Sequence, residues 1–307
     1  MKFAIVGTGA VGGYFGARLA ADGNEVLFVA RGRNREAMLA SGLRVLSPLG
    51  DVRIEKPWVF EDPLKAGLCD VVLFCVKLWD SEAAAGLIKP LLAHDTAVVS
   101  LQNGVEAEDL LARLLGPQHV LGGAAYIAAE LAEPGVVRHT GSTARLVFGE
   151  RDGSGSWRGD ALLSACIGAG IDARMSEAID REIWKKFVFL APLAGATALY
   201  RCPAGAVMAE PERRTRFAAM VRETAAVGRA KGVGLDAGLE RGVLANAESL
   251  PKDMKTSMLN DLERGRRLEL DWLTGAVVRL GRELGVATPE NEAVYDALKP
   301  HAMGANP

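Results

Sequence analysis

A glycine-rich segment near the start of the chain has the spacing of a dinucleotide-binding turn. Residues 7–12 follow the pattern G-x-G-x-x-G, directly after an apolar run that predicts a buried strand and before a helical stretch. Gly7 allows a sharp turn, Gly9 lets the backbone approach a pyrophosphate, and Gly12 lets the helix pack close to the strand. The N-terminus of that helix offers N–H groups and the positive end of its dipole to the phosphates. We therefore predict a dinucleotide site, rather than a chance βα turn, with these cofactor-binding residues: Gly7, Thr8, Gly9, Ala10, Val11 and Gly12.

The end of the next apolar run indicates which dinucleotide is preferred. NAD-binding turns of this type are followed, about 20 residues later, by an acid that accepts hydrogen bonds from the ribose 2′-hydroxyl. Residues 29–33 read Val-Ala-Arg-Gly-Arg and contain no carboxylate. A guanidinium group pairs with a 2′-phosphate, whereas a carboxylate would repel it. The sequence therefore favours NADP(H), with Arg31 and Arg33 as the cationic candidates; the alternative is that both arginines are solvated loop charges.

Two polar residues follow predicted strands where ligands commonly bind in open α/β sheets. Lys77 comes directly after the apolar run 70–76, and Asn103 follows the run 97–101. Ligands in such sheets lie beyond the carboxyl ends of the strands, so both side chains are candidates for contact with cofactor or substrate. Two alternatives stay open, namely a solvated lysine at Lys77 and an ordinary Asn-Gly turn at Asn103.

A pair of lysines interrupts an apolar helical pattern in the second half of the chain. Lys185 and Lys186 lie within residues 184–190, which read Trp-Lys-Lys-Phe-Val-Phe-Leu. A lysine flanked by core residues can have its pKa lowered by desolvation and can then donate a proton. The alternative is that both side chains extend along the helix surface to solvent.

A serine and a glutamate further along can share a site only if the chain bends between them. Ser257 and Glu269 are 12 residues apart, which places them about 120° apart around one straight helix. Gly265 is the expected position of a bend. On the residues alone, Glu269 is interpreted as a salt-bridge partner of Arg266 or of a neighbouring arginine.

The order of the predicted elements favours an α/β fold with two domains. Strands and helices alternate through the first half of the chain, which predicts a doubly wound sheet. Turns at residues 134–135 and 140–141 predict an antiparallel edge added to this sheet. From Ser176, the predicted N-cap of a helix, the chain is almost entirely helical. We therefore predict a doubly wound domain at residues 1–177 and an all-helical domain at residues 178–307.

Composition argues against several classes of function. The net charge of −2 provides no basic field for nucleic acid or membranes. The apolar runs fall short of the about 20 residues that span a bilayer, and the N-terminal residues lack a secretory signal pattern. The four cysteines lack C-x-x-C spacing and the four histidines are scattered. We therefore expect a cytoplasmic protein with reduced thiols and no metal site.

These motifs together resemble the ketopantoate reductase (2-dehydropantoate 2-reductase) family over nearly the whole chain. The matching segments, in order, are residues 7–12, 75–77, 102–104, 184–187, 257–261, 269–271 and 285–291. The resemblance implies an N-terminal Rossmann domain that binds NADP(H) and a helical C-terminal domain for substrate and catalysis. The implied reaction is the NADPH-dependent reduction of 2-dehydropantoate, a 2-oxo acid, to pantoate, a step toward pantothenate and coenzyme A.

The resemblance also implies roles for individual residues. Lys186 would be the general acid that protonates the developing alkoxide, and Glu269 would orient the substrate. Ser257 would hold the substrate carboxylate, while Lys77 and Asn103 would line the nicotinamide end of the site. A fixed cation near the carbonyl oxygen stabilises charge that develops only in the transition state.

Two candidate substrate-binding positions depart from the family pattern. Family members usually carry asparagines four and eight residues after the catalytic lysine, where this chain has Leu190 and Ala194. These positions share one helix face with Lys186, although Pro192 could kink the helix between them. Without amide partners the site should discriminate less in favour of a hydroxylated substrate.

Three functions therefore stay open on the sequence. The first is 2-dehydropantoate reduction, and the second is reduction of another, more apolar 2-oxo acid or ketone by a paralogous NADP-dependent enzyme. The third is a regulator that binds NADPH without turnover. The C-terminal helices could supply a homodimer interface, and a monomer is equally compatible with the sequence.

Overall fold

The structure is a computed structural model that describes residues 1–305, without the side chain of Lys65. The chain divides into two compact units. The first unit comprises Met1–Gln102 and Glu106–Ile179, and the second comprises Asn103–Val105 and the chain from Asp180 onward.

A mixed β-sheet with helices on its faces forms the described part of the first unit. The strands are β1 (Lys2–Val6), β2 (Glu25–Val29), β3 (Leu43–Leu46), β4 (Val52–Ile54), β5 (Trp58–Phe60), β6 (Cys69–Phe74), β7 (Leu92–Ser100), β8 (Val120–Glu133), β9 (Val136–Glu150) and β10 (Asp172–Met175). The helices are α1 (Ala10–Ala21), α2 (Gly32–Ser41), α3 (Ser81–Ile88), α4 (Ala107–Leu115) and α5 (Trp157–Gly168).

The predicted doubly wound arrangement is confirmed by the strand order and by the two hydrophobic clusters. The strands lie in the order β4-β3-β9-β8-β7-β6-β1-β2-β5, and β10 pairs with β9. Successive residues of β1 point to opposite faces of the sheet. Phe3 and Ile5 belong to a cluster with buried residues of α1 and α5, whereas Ala4 and Val6 belong to a cluster with α3 and α4. Helices therefore cover both faces, which explains why β1 is apolar from Phe3 to Val6.

The predicted antiparallel edge is wrong in its position. β8 and β9 do form an antiparallel hairpin with a turn at Pro134 and Gly135, but β9 also pairs in parallel with β3 and with β10. The hairpin therefore lies inside the sheet. The second predicted turn, at Thr140 and Gly141, is also wrong, because these residues lie within β9 where the pairing register shifts. A short glycine signal does not distinguish a bulge from a turn.

The described residues of the second unit form helices and connecting loops without strands, as predicted. Its helices are α6 (Ile179–Tyr200), α7 (Ala204–Ala209), α8 (Pro211–Ala230), α9 (Leu239–Ser249), α10 (Ser257–Glu263), α11 (Thr274–Leu284) and α12 (Pro289–Leu298). Pro192 lies inside α6 and does not end it. Ser176 is not the N-cap of α6 as predicted, because the helix begins three residues later, at Ile179. Its hydroxyl accepts a hydrogen bond from the Ala178 N–H at 3.2 Å in the turn before α6. Within the described residues, the helices are too short or too polar to cross a membrane.

One largely buried ion pair joins the end of β9 to α5. Arg158 Nε and Nη2 donate to the two carboxylate oxygens of Glu150, each at 2.7 Å. The side chains of Arg158 and Glu150 are only 14% and 12% exposed. Desolvation opposes ionisation of Glu150, but the hydrogen bonds from Arg158 and Ser156 outweigh it and lower the pKa of Glu150 below its ordinary value of 4.5. The carboxylate therefore stabilises the folded state.

Replacing Arg158 by methionine is expected to lower the free energy of unfolding by about 2–3 kcal/mol at neutral pH, because Glu150 would stay buried without its partner. The pKa of Glu150 is lower in the folded than in the unfolded chain, so its contribution is present above pH 4.5. That contribution disappears as the pH falls through the folded-state pKa. Urea unfolding at neutral and acidic pH should therefore show a difference between wild type and variant that shrinks in acid.

A matched control is Arg145→Met, which breaks the pair between Arg145 and Asp172. Those side chains are 51% and 56% exposed, so the expected loss is at most about 1 kcal/mol. Equal losses in the two variants would contradict the argument from burial.

Candidate cofactor and catalytic sites

The glycine-rich turn connects β1 to α1, and two of its glycines are required by neighbouring backbone. Gly7 has φ of +93°, and a Cβ there would lie 2.7 Å from the Val76 nitrogen. A Cβ on Gly12 would lie 2.2 Å from the Gly7 carbonyl oxygen. Both positions therefore exclude a side chain because the protein packs against itself.

Gly9 differs from the other two glycines, because a Cβ there would meet no protein atom within 4 Å apart from its neighbours along the chain. It precedes the first residue of α1 and has an extended backbone, with φ of −74°. The first turn of α1 has no acidic residue, so the N–H groups and the positive end of the helix dipole face no local carboxylate of that turn. Open space beside a helix N-terminus fits a phosphate group.

Asn34 of α2 positions this turn, a role that the sequence patterns did not predict. Its side-chain nitrogen donates to the Thr8 carbonyl at 2.8 Å, and lies 3.1 Å from the Thr8 hydroxyl. Its side-chain oxygen accepts from the Gly135 N–H at 2.8 Å. Asn34 therefore links the turn to the β8–β9 hairpin. A lone asparagine among arginines gives no local signal for such a contact.

The predicted 2′-phosphate residue, Arg31, lies directly before α2. Its Nη2 is 3.0 Å from Oδ1 of Asp80, and its side chain is 69% exposed. Lys77 precedes a short 3-10 helix (Leu78–Asp80) after β6, and its Nζ is 5.7 Å from the centre of the Trp79 ring. Both predicted cofactor residues thus occupy loops that follow the carboxyl ends of parallel strands, where ligands bind in this fold.

The side chain of Gln102, which follows β7, hydrogen-bonds to the loop that follows β6. Its side-chain nitrogen donates to the Val76 carbonyl and to the Ser81 hydroxyl, each at 2.8 Å. The side chain is buried, and its hydrogen bonds hold the segment that carries Lys77. The Gln-Asn-Gly motif drew attention to this segment, but the sequence alone did not reveal what Gln102 contacts.

In the second unit, Lys186 and Asn103 are brought together across a long sequence separation. Lys186 lies on α6, and Asn103 belongs to the short segment Asn103–Val105 that groups with this unit. Lys186 Nζ donates to the Asn103 side-chain oxygen at 3.1 Å. An amide oxygen orients the ammonium group but does not accept its proton at ordinary pH.

The neighbouring lysine has a different partner. Lys185 Nζ lies 3.2 Å from Oδ2 of Asp236. The ion pair holds the Lys185 ammonium group at Asp236, whereas Lys186 donates a hydrogen bond to the uncharged amide of Asn103. The two adjacent lysines are therefore held by different parts of the chain.

The two positions that depart from the family pattern follow Lys186 along the same helix. α6 continues through both, so the residues at i+4 and i+8 stay on one face with the lysine. Leu190 is half-buried, and Ala194 is 1% exposed. This face is therefore apolar at the two positions where the family usually has amides.

Ser257 and Glu269 lie on separate elements, with the predicted bend between them. Ser257 is exposed at the first residue of α10, which is capped by Thr256. Gly265 has φ of +62°, so the chain does turn there. Glu269 is buried, at 6% exposed, in the segment before α11. Nη1 of Arg266, the arginine that the sequence suggested as a salt-bridge partner of Glu269, lies 3.9 Å from Oδ1 of Asp261.

Comparison with known families matches both parts of the chain. Residues 3–153 match the family described as ketopantoate reductase PanE/ApbA, and residues 178–302 match ketopantoate reductase PanE/ApbA C terminal. A relative in Bacillus subtilis strain 168, called uncharacterized oxidoreductase YkpB, is 33% identical over 97% of this chain and 98% of its own length.

Solved structures of similar proteins match nearly the whole chain. A 2-dehydropantoate 2-reductase from Geobacter metallireducens GS-15 is 31% identical, with a TM-score of 0.91 over 98% of this chain and 99% of that chain. A ternary structure of D-mandelate dehydrogenase with NADH and anilino(oxo)acetate is 25% identical, with a TM-score of 0.88 over 98% of both chains.

No group of three or more His, Cys, Asp or Glu residues in the described chain is arranged to hold a metal ion.

Proposed function

The chain belongs to the ketopantoate reductase family of NAD(P)-dependent oxidoreductases that act on CH–OH groups, and we propose that it reduces 2-dehydropantoate to pantoate with NADPH. The observation that carries this proposal is the hydrogen bond from Lys186 to Asn103. It holds one ammonium group in a fixed direction on a mostly apolar helix. A general acid has to be held in this way if it is to protonate a carbonyl oxygen.

Lys186 is proposed as the residue that donates this proton. NADPH, when bound, supplies the hydride for the carbonyl carbon. As negative charge develops on the carbonyl oxygen, the ammonium group of Lys186 stabilises that charge and then gives up a proton to it. Asn103 keeps Nζ in position without competing for the proton. Ser257 and Glu269 are proposed to hold the substrate carboxylate and to orient the substrate, as the family resemblance implies.

Residues 1–177 are proposed as the domain that binds NADPH, and residues 178–307 as the substrate and catalytic domain. The open space at Gly9 supports a pyrophosphate position beside the N-terminus of α1. Arg31 carries the positive charge proposed for the 2′-phosphate. Lys77 and Asn103 are proposed to line the nicotinamide end.

A second substrate class is favoured by Leu190 and Ala194. An apolar face beside the proton donor suits a 2-oxo acid whose side chain is apolar, because it has no group to pair with a substrate hydroxyl. The D-mandelate dehydrogenase named above was solved with anilino(oxo)acetate, which carries an aromatic ring on its oxoacetate group. An aromatic or branched apolar 2-oxo acid is therefore the second candidate.

The test is a comparison of kcat/KM for 2-dehydropantoate and for an aromatic 2-oxo acid, with NADPH, in wild type and Leu190→Asn. The new amide can pair with the hydroxyl of 2-dehydropantoate, so the ratio of the two kcat/KM values is expected to move toward 2-dehydropantoate by about tenfold. Turnover of 2-dehydropantoate by wild type supports the first candidate. Turnover of the aromatic acid alone supports the second.

Leu190→Ala is the matched control for this substitution. It removes the leucine without adding an amide, so it should leave the ratio of the two kcat/KM values closer to that of wild type. If wild type bound NADPH but reduced neither compound, both candidates would be rejected.

A further inference from the structure

The glycine-rich turn lies between two loops of opposite charge. β1 is flanked by β6 on one side and β2 on the other, and all three strands are parallel. Their carboxyl ends therefore lie at the same edge of the sheet. Arg31 follows β2, and Asp80 lies in the loop after β6. The two side chains therefore approach each other across the end of β1, from which the turn emerges.

Asp80 directs its carboxylate to Arg31 rather than to its own helix. It occupies the position before α3, where an aspartate commonly caps the helix N-terminus, yet its side chain makes no capping hydrogen bond there. Its Oδ1 is instead 3.0 Å from Nη2 of Arg31. The Arg31 and Asp80 side chains are 69% and 33% exposed, so the ion pair is weak and can be exchanged for another partner of Arg31.

The acid missing from the end of β2 is thus replaced by one from the neighbouring loop. NAD-specific turns carry their carboxylate at the end of the second strand, where this chain has Arg31. Asp80 places a negative charge beside that position from the β6 side. A 2′-phosphate carries nearly two negative charges, so it would compete with Asp80 for Arg31 and would be repelled by the carboxylate. NADH has no such group.

We propose that Asp80 is a specificity-determining residue that narrows the preference of this protein for NADPH over NADH. It does so by occupying the guanidinium group of Arg31 that would otherwise pair with the 2′-phosphate. This inference rests on the proposed use of Arg31 for NADPH. It concerns affinity for the two dinucleotides and does not depend on which 2-oxo acid is reduced.

The experiment measures Kd for NADPH and NADH by nicotinamide fluorescence in wild type, Asp80→Asn, Arg31→Ala and the double variant. Asp80→Asn is expected to tighten NADPH binding by about threefold to tenfold and to leave NADH within about twofold. In the Arg31→Ala background the same substitution should have a smaller effect on NADPH, because the group for which Asp80 competes is gone. High salt should reduce the difference in NADPH affinity between wild type and Asp80→Asn.

Glu82→Gln is the matched control, because it removes one negative charge two positions further along the chain. The proposal is overturned if Asp80→Asn shifts NADPH and NADH equally, if it shifts neither, or if Glu82→Gln changes the NADPH to NADH ratio as much. Measurements of binding and of turnover test the two proposals separately. If Asp80→Asn shifts the ratio of the Kd values for NADPH and NADH but no 2-oxo acid is turned over, this inference stands and the proposed reaction is rejected. If 2-dehydropantoate is turned over but the ratio does not shift, the proposed reaction stands and this inference is rejected.

Discussion

Replacing Lys186 by alanine is expected to lower kcat with 2-dehydropantoate by about 10²–10⁴-fold, the usual contribution of a positioned general acid. The reason is that Asn103 cannot replace Lys186 as the proton donor, since its side-chain oxygen only accepts a hydrogen bond from the ammonium group. The measurement is steady-state oxidation of NADPH, followed by the absorbance of the reduced nicotinamide. Kd for NADPH should stay close to that of wild type.

Lys185→Ala is the matched control, because Lys185 lies in the same turn of α6 as Lys186. The ammonium group of Lys185 pairs with Asp236 instead. Its kcat should fall by no more than about twofold, since an exposed ion pair contributes little. Lys186→Arg adds a second test. Arginine keeps the positive charge but does not release a proton in proteins, so it should retain substrate binding and lose kcat. Equal rates in wild type and Lys186→Ala would remove Lys186 from the mechanism.

Two alanine substitutions in the glycine-rich turn should have opposite consequences. Gly9→Ala is expected to weaken NADPH binding on the order of tenfold to a hundredfold while leaving the fold intact. The protein has room for the new methyl group, since no atom other than those of its chain neighbours would lie within 4 Å of it, and the backbone φ of −74° suits alanine. The methyl group would instead fill the space proposed for the pyrophosphate.

Gly12→Ala is expected to destabilise the protein itself, by about 1–3 kcal/mol or more. Its methyl group would lie 2.2 Å from the Gly7 carbonyl oxygen, so α1 would have to move. Thermal unfolding without cofactor separates the two variants, because only Gly12→Ala should lower Tm. Unchanged NADPH affinity in Gly9→Ala would contradict a pyrophosphate at this position.

Local patterns predicted the features that depend on local physics. The glycine spacing of residues 7–12 and the alternation of apolar runs identified the βα turn and the doubly wound sheet. The periodic apolar positions after Ser176 identified the helical second half. These features depend on backbone conformation and on burial of nearby residues, and both leave a short-range record in the sequence.

The contacts that build the candidate site depend on residues far apart in the chain. Lys186 and Asn103 are 83 residues apart, and Asn34 reaches a hairpin turn 101 residues away. No local periodicity encodes such a pairing. For the same reason the bulge in β9 looked like a turn, since only the partner strand shows that Thr140 stays paired. Asp80 was overlooked because its significance comes from a neighbouring strand.

The grouping of Asn103–Val105 with the second unit has an evolutionary consequence. The chain leaves the first unit after Gln102, returns to it at Glu106, and leaves it again after Ile179. A recombination event with one junction near residue 180 would therefore transfer Lys186 to a new partner but leave Asn103 behind. The proposed acid, Lys186, and the asparagine that accepts its hydrogen bond are encoded on opposite sides of that junction. The helical unit is consequently not a portable module, and the two parts of this gene are expected to be inherited together.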